Sequence, residues 1–196
     1  MQAPRTMSTA PRERNERRSS VRSTGSGDGR DAAADPGGRI GVLFVCLGNI
    51  CRSPLAEGVF RAELARRGLA DRFEVDSCGT SGWHVGEPPD PRSTEVAARH
   101  GVDISRQRSR RLADDDFARF DWLVAMDRSN ARDMLARRPP EAAGRVVEFM
   151  EYVDPRPVPD VPDPYYGGPG GFDRVYELLA RGMGPLLDVM LETASS

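Results

Sequence analysis

The longest unbroken apolar run in the chain, Val-Leu-Phe-Val-Cys-Leu at 42–47, is long enough for a strand and no more. Within "RIGVLFVC" (39–46) apolar residues follow one another instead of alternating with polar ones, the pattern of a strand buried on both faces. The segments that follow supply its cover. A helix is expected over 53–67, with Leu55, Val59, Phe60 and Leu64 on one face and Gly68 at its C-terminal cap. "RFEVDSC" (72–78) reads as a second strand, and after the loop "GTSGWHVGEPPDPR" a helix near 92–100 stops at Gly101. A short helix around 113–119 precedes a third strand at 121–126. Asp127 or Ser129 can cap the next helix, which reaches about Arg138, and a fourth strand covers 145–150. The last helix, 172–192, has Phe172, Val175, Tyr176, Leu179, Met183, Leu186, Leu187 and Met190 on its apolar face. Gly182, Gly184 and Pro185 should kink it.

Strands alternating with helices imply an α/β fold: a three-layer α/β/α arrangement around a central four-stranded parallel sheet. Open sheets of this kind bind ligands at the carboxyl ends of their strands, where the strand order reverses. Cys46 ends the first strand, so the stretch after it lies where a site is expected.

The folded unit is expected over 38–194. Residues 1–37 contain no Leu, Ile, Phe, Tyr or Trp and read as a disordered tail, too poor in apolar surface to offset its ordering entropy. Coding sequence upstream of the true start, and an Arg-mediated contact with an acidic partner, are the other readings of that segment. Arg17 and Arg18 form a twin arginine with no apolar stretch behind it, which does not make an export signal. Basic and acidic residues nearly balance, 28 against 30, which argues against a nucleic-acid binder working through a general positive field. All the basic residues are Arg, a composition we attribute to a GC-rich, bacterial genome. No run approaches the roughly 20 apolar residues of a membrane span. Three cysteines, Cys46, Cys51 and Cys78, do not make a secreted disulfide framework, and the expected compartment is a reducing cytoplasm.

The loop Cys46-Leu47-Gly48-Asn49-Ile50-Cys51-Arg52-Ser53 joins a strand end to a helix start. Successive N–H groups in such a loop can turn inward as an anion cradle, and the helix N-terminus adds partial positive charge. Gly48 allows backbone conformations closed to other residues. The planar guanidinium of Arg52 can fork a tetrahedral oxyanion. The same surroundings favour a thiolate at Cys46, to which Ser53 can donate a hydrogen bond. Cysteine is also a common buried small hydrophobe, and Cys-x5-Arg alone arises by chance.

"VLFVCLGNICRSPLAE" resembles the phosphate-binding loop of the low-molecular-weight protein tyrosine phosphatases, and further motifs of that family follow in order over residues 39 to about 192. The resemblance implies a Cys46 nucleophile, phosphate held by residues 47–53, and a general acid that protonates the departing phenol. "VPDPYYGG" resembles the family's Asp-Pro-Tyr-Tyr motif and makes Asp163 that acid; on the residues alone, Asp160, Asp154 or a plain turn would serve as well. "DSCGT" (76–80) resembles another family segment, with Cys78 in place of alanine. By resemblance, Ser77, Asn49, Ser53 and His100 form a network holding the loop, and Asp127 braces it. Read alone, His100 closes a surface helix and Asp127 is an N-cap. Trp83 and His84, with Tyr165 and Tyr166, would line the substrate cleft as aromatic walls suited to phosphotyrosine. Cys51 is either a packed residue or, as in the family, a partner for a reversible disulfide with Cys46.

No cofactor or metal is called for, since the loop supplies the positive field. The expected partners are phosphotyrosine proteins as substrates, inorganic phosphate as product, and a kinase acting on Tyr165 or Tyr166. A thioredoxin-linked arsenate reductase would need cysteines downstream of Cys78, and there are none. The related protein-arginine phosphatases carry Thr where this chain has Ile50. A non-catalytic phosphotyrosine-binding module would tolerate loss of the nucleophile or the acid; both are present.

Overall fold

The computed structural model describes residues 38–195 except 155 and 157, so the tail expected over 1–37 lies outside the described residues. Its elements are β1 (Ile40–Cys46), α1 (Arg52–Arg66), β2 (Phe73–Gly79), α2 (Pro91–Arg99), α3 (Asp116–Arg119), β3 (Trp122–Ala125), α4 (Arg128–Arg137), β4 (Arg145–Glu148) and α5 (Gly171–Ala194). The four strands form one parallel sheet in the order β2-β1-β3-β4.

The apolar run of β1 explains the layering. Val42, Phe44 and Cys46 face a core shared with Leu55, Phe60, Val96 and the buried side of α5. Leu43 and Val45 face a second core with Phe117, Leu123 and Met134. Helices therefore cover both sheet faces, giving three layers. The chain passes from β1 to β2 on one side, then returns across β1 to β3 on the other. The order reverses at β1, and its carboxyl end opens onto the crevice where such sheets bind ligands. The register sets Cys46 beside Gly79 and Val45 beside Ala125, so β2 and β3 both end level with the loop after Cys46.

Several boundaries differ from those expected, each for a local reason. β4 stops at Glu148 and turns into a 3-10 segment, Phe149–Tyr152. Phe149 and Met150 both join the core that α5 covers, whereas a strand would send one of two neighbours to the opposite face. α2 begins at Pro91, with Asp90 as its N-cap accepting from the Arg92 N–H at 2.8 Å. α3 keeps only the last turn of the expected 113–119 helix.

α5 runs without interruption from 171 to 194, through Gly182, Gly184 and Pro185 where a kink was expected. Its buried face is the expected one with Leu178 added, while Tyr176 is only partly covered. Burial of that face offsets the roughly 3 kcal/mol that an interior proline costs. Among the described residues no helix is long and apolar enough to cross a membrane.

Gly182 lets α5 lie against the 3-10 segment. A Cβ there would stand 2.6 Å from Phe149 Cζ and 2.9 Å from Val153 Cγ2, both on buried side chains. Alanine would gain about 1 kcal/mol of helix propensity but force a packed ring aside at about 1–3 kcal/mol. Gly182→Ala should therefore lower unfolding free energy in urea, by roughly 1 kcal/mol after the propensity gain is subtracted. A variant as stable as wild type would show that Phe149 can yield.

Candidate active site

The loop after β1 takes its shape from its carbonyls, which neighbouring segments hold. Thr80 N–H donates to Cys46 O and Ser81 N–H to Leu47 O, each at 2.9 Å. The Ser109 hydroxyl donates to Gly48 O at 3.0 Å, Asp90 N–H to Ile50 O at 2.7 Å, and the Ser93 hydroxyl to Cys51 O at 3.2 Å. With these carbonyls engaged outside, the N–H groups can converge on the centre. Asn49 N–H lies 3.3 Å from Cys46 Sγ. Among the described residues those of Leu47, Gly48, Ile50 and Cys51 meet no protein acceptor. The residues that carry them line a cleft together with Cys46, Arg52 and Asp163, at the N-terminus of α1, where N–H groups turned inward would make an anion cradle.

Asn49 is the pivot of this turn. It is the one non-glycine residue in the left-handed region among those described, at φ 55°. Asparagine tolerates that region, and its amide holds the loop from behind. Nδ2 donates to Ser53 Oγ at 2.9 Å and to Ser77 Oγ at 3.0 Å, while Oδ1 accepts from the Arg110 N–H at 2.9 Å. Ser53 Oγ sits 3.0 Å from Cys46 Sγ and 3.2 Å from Cys78 O. Its single proton can serve the sulfur or the carbonyl.

His100 is not part of this network, contrary to the expectation from resemblance. It is the exposed C-cap of α2, with its ring stacked on Tyr176 at 3.8 Å between centroids. The network ends instead on Glu57, which accepts from the Ser77 hydroxyl at 2.8 Å and from Arg61 Nε at 2.9 Å. Burial pushes the Glu57 carboxyl above its usual range, against those two bonds. Glu57 lies one turn beyond Ser53 on α1, a spacing that could have suggested it. The Ser109 and Arg110 contacts come from irregular chain with no such signal. Gly79 was also missed: a Cβ there would stand 2.6 Å from Leu47 O.

Arg52 is buried, with its guanidinium divided among three acceptors. Nη1 donates to Asp127 Oδ2 at 2.6 Å and to Val161 O at 3.1 Å, and Nη2 to Asp163 Oδ2 at 3.0 Å. Burial disfavours its charge, but Cys46, Asp163 and Asp127 outweigh that and hold it more firmly protonated. Asp127 is also the N-cap of α4, accepting from Asn130 N–H at 2.7 Å, so one carboxylate meets Arg52 and caps a helix. Among the candidate acids, Asp163 alone lines the cleft; Asp160 pairs with Arg128 at 2.9 Å outside it.

Trp83, His84, Tyr165 and Tyr166 line the same opening. Trp83 and Tyr166 are 75% and 91% exposed, so they form a rim and not the deep walls expected. Tyr165 and Tyr166 pack edge to face at 4.9 Å. Arg92 ties this rim to the phosphate loop: it pairs with Asp90, whose N–H holds Ile50 O, and lies over the Tyr165 ring. Cys51 also lines the cleft, but burial, then the nearby Asp90, Cys46 and Asp163, push its thiol up to about 12. Cys78 lies wholly in the second core, as a structural residue would.

The profile of the low molecular weight phosphotyrosine protein phosphatases matches residues 41–195. A low molecular weight phosphotyrosine protein phosphatase of Schizosaccharomyces pombe is 49% identical over 138 residues, 70% of this chain and 88% of its own. Among solved structures, a protein tyrosine phosphatase of Entamoeba histolytica superposes with a TM-score of 0.75 at 35% identity, over 80% of this chain and 99% of its own. A Drosophila arginine phosphatase superposes at 0.70 with 32% identity, over 76% of this chain and 96% of its own.

The role of Asn49 separates into backbone and amide. Asn49→Ala should weaken inorganic phosphate binding by about tenfold or more, since it loses the amide bonds and strains the backbone. Asn49→Gly loses the same bonds without the strain and should bind more tightly than the alanine variant. Calorimetric titration with phosphate compares them; equal losses would assign the whole effect to the amide.

Proposed function

The chain belongs to the low molecular weight phosphotyrosine protein phosphatase family and is a protein tyrosine phosphatase, and we propose that Cys46, Arg52 and Asp163 carry its chemistry. One observation supports this above the others: the thiol, the guanidinium and a carboxylate from three separate segments line a single cleft. The catalytic unit is residues 38–194, and the cytoplasm is its site of action.

The phosphoryl dianion enters the ring of inward N–H groups above Cys46. Arg52 offers it Nε–H and Nη2–H on one edge; the substrate takes over the Nη2 proton that Asp163 now shares. That exchange frees the Asp163 carboxyl to face the leaving oxygen. Once released from Arg52, Asp163 takes up a proton from solvent; the Cys46 sulfur then attacks phosphorus in line as the P–O bond to the phenol breaks, and Asp163 passes that proton to the phenol. Water then attacks the phosphocysteine, the S–P bond breaks and Asp163 takes the water's proton. Inorganic phosphate leaves. The Ser53 hydroxyl and the Asn49 N–H, both aimed at the sulfur, stabilise the thiolate as nucleophile and as leaving group. Phosphotyrosine proteins are the substrates. The exposed Tyr166 is the more accessible of the two tyrosines to a kinase.

Hydrolysis of phosphotyrosine, phosphoserine and phosphoarginine peptides, compared in chelator, tests the substrate class. The phosphotyrosine peptide should be turned over fastest; a faster phosphoarginine peptide would overturn the reading. Cys46→Ser should bind phosphate esters without turnover. Asp163→Ala should lower kcat by about 10²–10⁴ for phenyl phosphate and much less for dinitrophenyl phosphate, whose leaving group needs no proton. Asp160→Ala should stay near wild type. An equal loss across leaving groups would give Asp163 a structural role only.

Peroxide should inactivate the enzyme reversibly. Cys46 sulfenic acid and the Cys51 thiol would condense to a disulfide with loss of water, and a dithiol would restore both thiols. The thiolate is the attacking form, and Cys51 is almost wholly protonated at neutral pH. Closure should therefore quicken by up to about tenfold per pH unit from 7 to 9. Cys51→Ser should lose the dithiol recovery. If it recovers as fully as wild type, Cys51 is packing.

A further inference from the structure

We infer that the irregular segment 106–111 is a cationic ridge beside the cleft that selects phosphotyrosines with acidic residues near them in sequence. The inference rests on the phosphotyrosine reading above and adds a substrate preference to it.

The segment reads Arg-Gln-Arg-Ser-Arg-Arg, the densest basic stretch among the described residues of a chain with net charge -2. Its placement is fixed by backbone bonds to the rim. Ser109 N–H donates to Glu87 O and accepts back from Gly86 N–H at its own carbonyl, at 2.9 and 2.8 Å. Leu112 N–H donates to Gly79 O at 2.8 Å. The ridge thus runs along the loop that carries Trp83 and His84, two residues of the cleft.

The side chains divide by role. Arg110 faces inward, its charge taken by Asp76 and Asp116 at 2.8 Å each. Ser109 is buried and holds Gly48 O. Arg106, Arg108 and Arg111 are exposed, and among the described residues none has a carboxylate partner within ion-pair distance. Arg108 bonds only to the carbonyls of Ser105 and Gln107. The aliphatic stem of Arg111 lies against Gly82, next to the exposed Trp83: a Cβ on Gly82 would meet its Cδ at 3.4 Å. Most arginines on the rest of the surface are paired, including Arg92 across the cleft with Asp90. Glu87, the acidic residue on the facing loop, is engaged by His84 Nδ1 at 2.6 Å.

A peptide with its phosphotyrosine in the cleft must leave over the rim. At about 3.3 Å per residue, carboxylates a few positions from the phosphotyrosine reach the ridge. The Debye length of about 8 Å at physiological salt confines the attraction to such near neighbours and makes it salt-sensitive. Arginine suits the task because its fork takes a carboxylate bidentately at the surface.

The test uses the full chain with Arg108→Gln and Arg111→Gln combined, and two phosphotyrosine peptides that differ only in Asp/Glu against Asn/Gln at the flanking positions. Wild type should favour the acidic peptide in kcat/KM by about five- to tenfold at low salt, with the preference falling in 0.5 M salt. The double variant should lose the preference while keeping wild-type rates on the neutral peptide and on p-nitrophenyl phosphate. Equal rates on the two peptides by wild type, or equal losses on both by the variant, would overturn the ridge. Failure of wild type on p-nitrophenyl phosphate would instead sink the phosphatase chemistry itself.

Discussion

The site depends on one constraint: the carbonyls of the loop after β1 must be held from outside so that its amides can face in. The carbonyls of Cys46, Leu47, Gly48, Ile50 and Cys51 all accept from donors outside the loop, drawn from three segments around residues 80, 90 and 109. Asn49 supplies the reversal that makes this possible, with its left-handed backbone and an amide bonded on both sides. A neutral cradle built this way needs no rearrangement when the dianion arrives, and that prior order is what gives such donors their leverage on a transition state.

Arg52 carries the charge of the site and joins its parts. A buried guanidinium is tolerable only when its donors are satisfied. Here the satisfying groups come from the start of α4 and from the segment before α5. Asp127 and Val161 hold one nitrogen permanently. Asp163 occupies the other, where a phosphate oxygen would go. The resting enzyme therefore keeps a removable acceptor in its own site, and substrate binding exchanges one carboxylate contact at Nη2 for one phosphoryl contact.

Much of this was legible in sequence, because the legible parts are local. The apolar run of β1 announced a strand covered on both faces, and Cys46 and Arg52 could be placed from the strand end and the helix start. Asp163 needed the family resemblance: Asp160 sits in the same Pro-Asp context, and only the fold separates the one that meets Arg52 from the one that meets Arg128. His100 shows the limit of resemblance. Its motif fits, yet helix α2 ends with that ring on Tyr176, and the network's terminus is Glu57 on α1. Ser109, Arg110 and Asp90 act through backbone groups or irregular chain, where residue type carries little information. The end of β4 was misplaced because an apolar run does not say whether two adjacent side chains share a face; Phe149 and Met150 do, and that required a 3-10 turn.

The position of α5 bears on how the chain comes off the ribosome. The nucleophile and its loop are written in the first third of the chain, yet the core under α1 stays open until Val175, Leu179, Met183 and Leu186 arrive near its end. Domains generally fold as units during synthesis, and uncovered apolar surface is where partly made chains associate. A nascent chain that already holds β1 through β4 would carry its thiol at the edge of an unfinished layer, with Arg52 lacking Val161 and Asp163. Arg52 gains its partners once residues 161 and 163 are made, and the helix that follows them closes the core under α1.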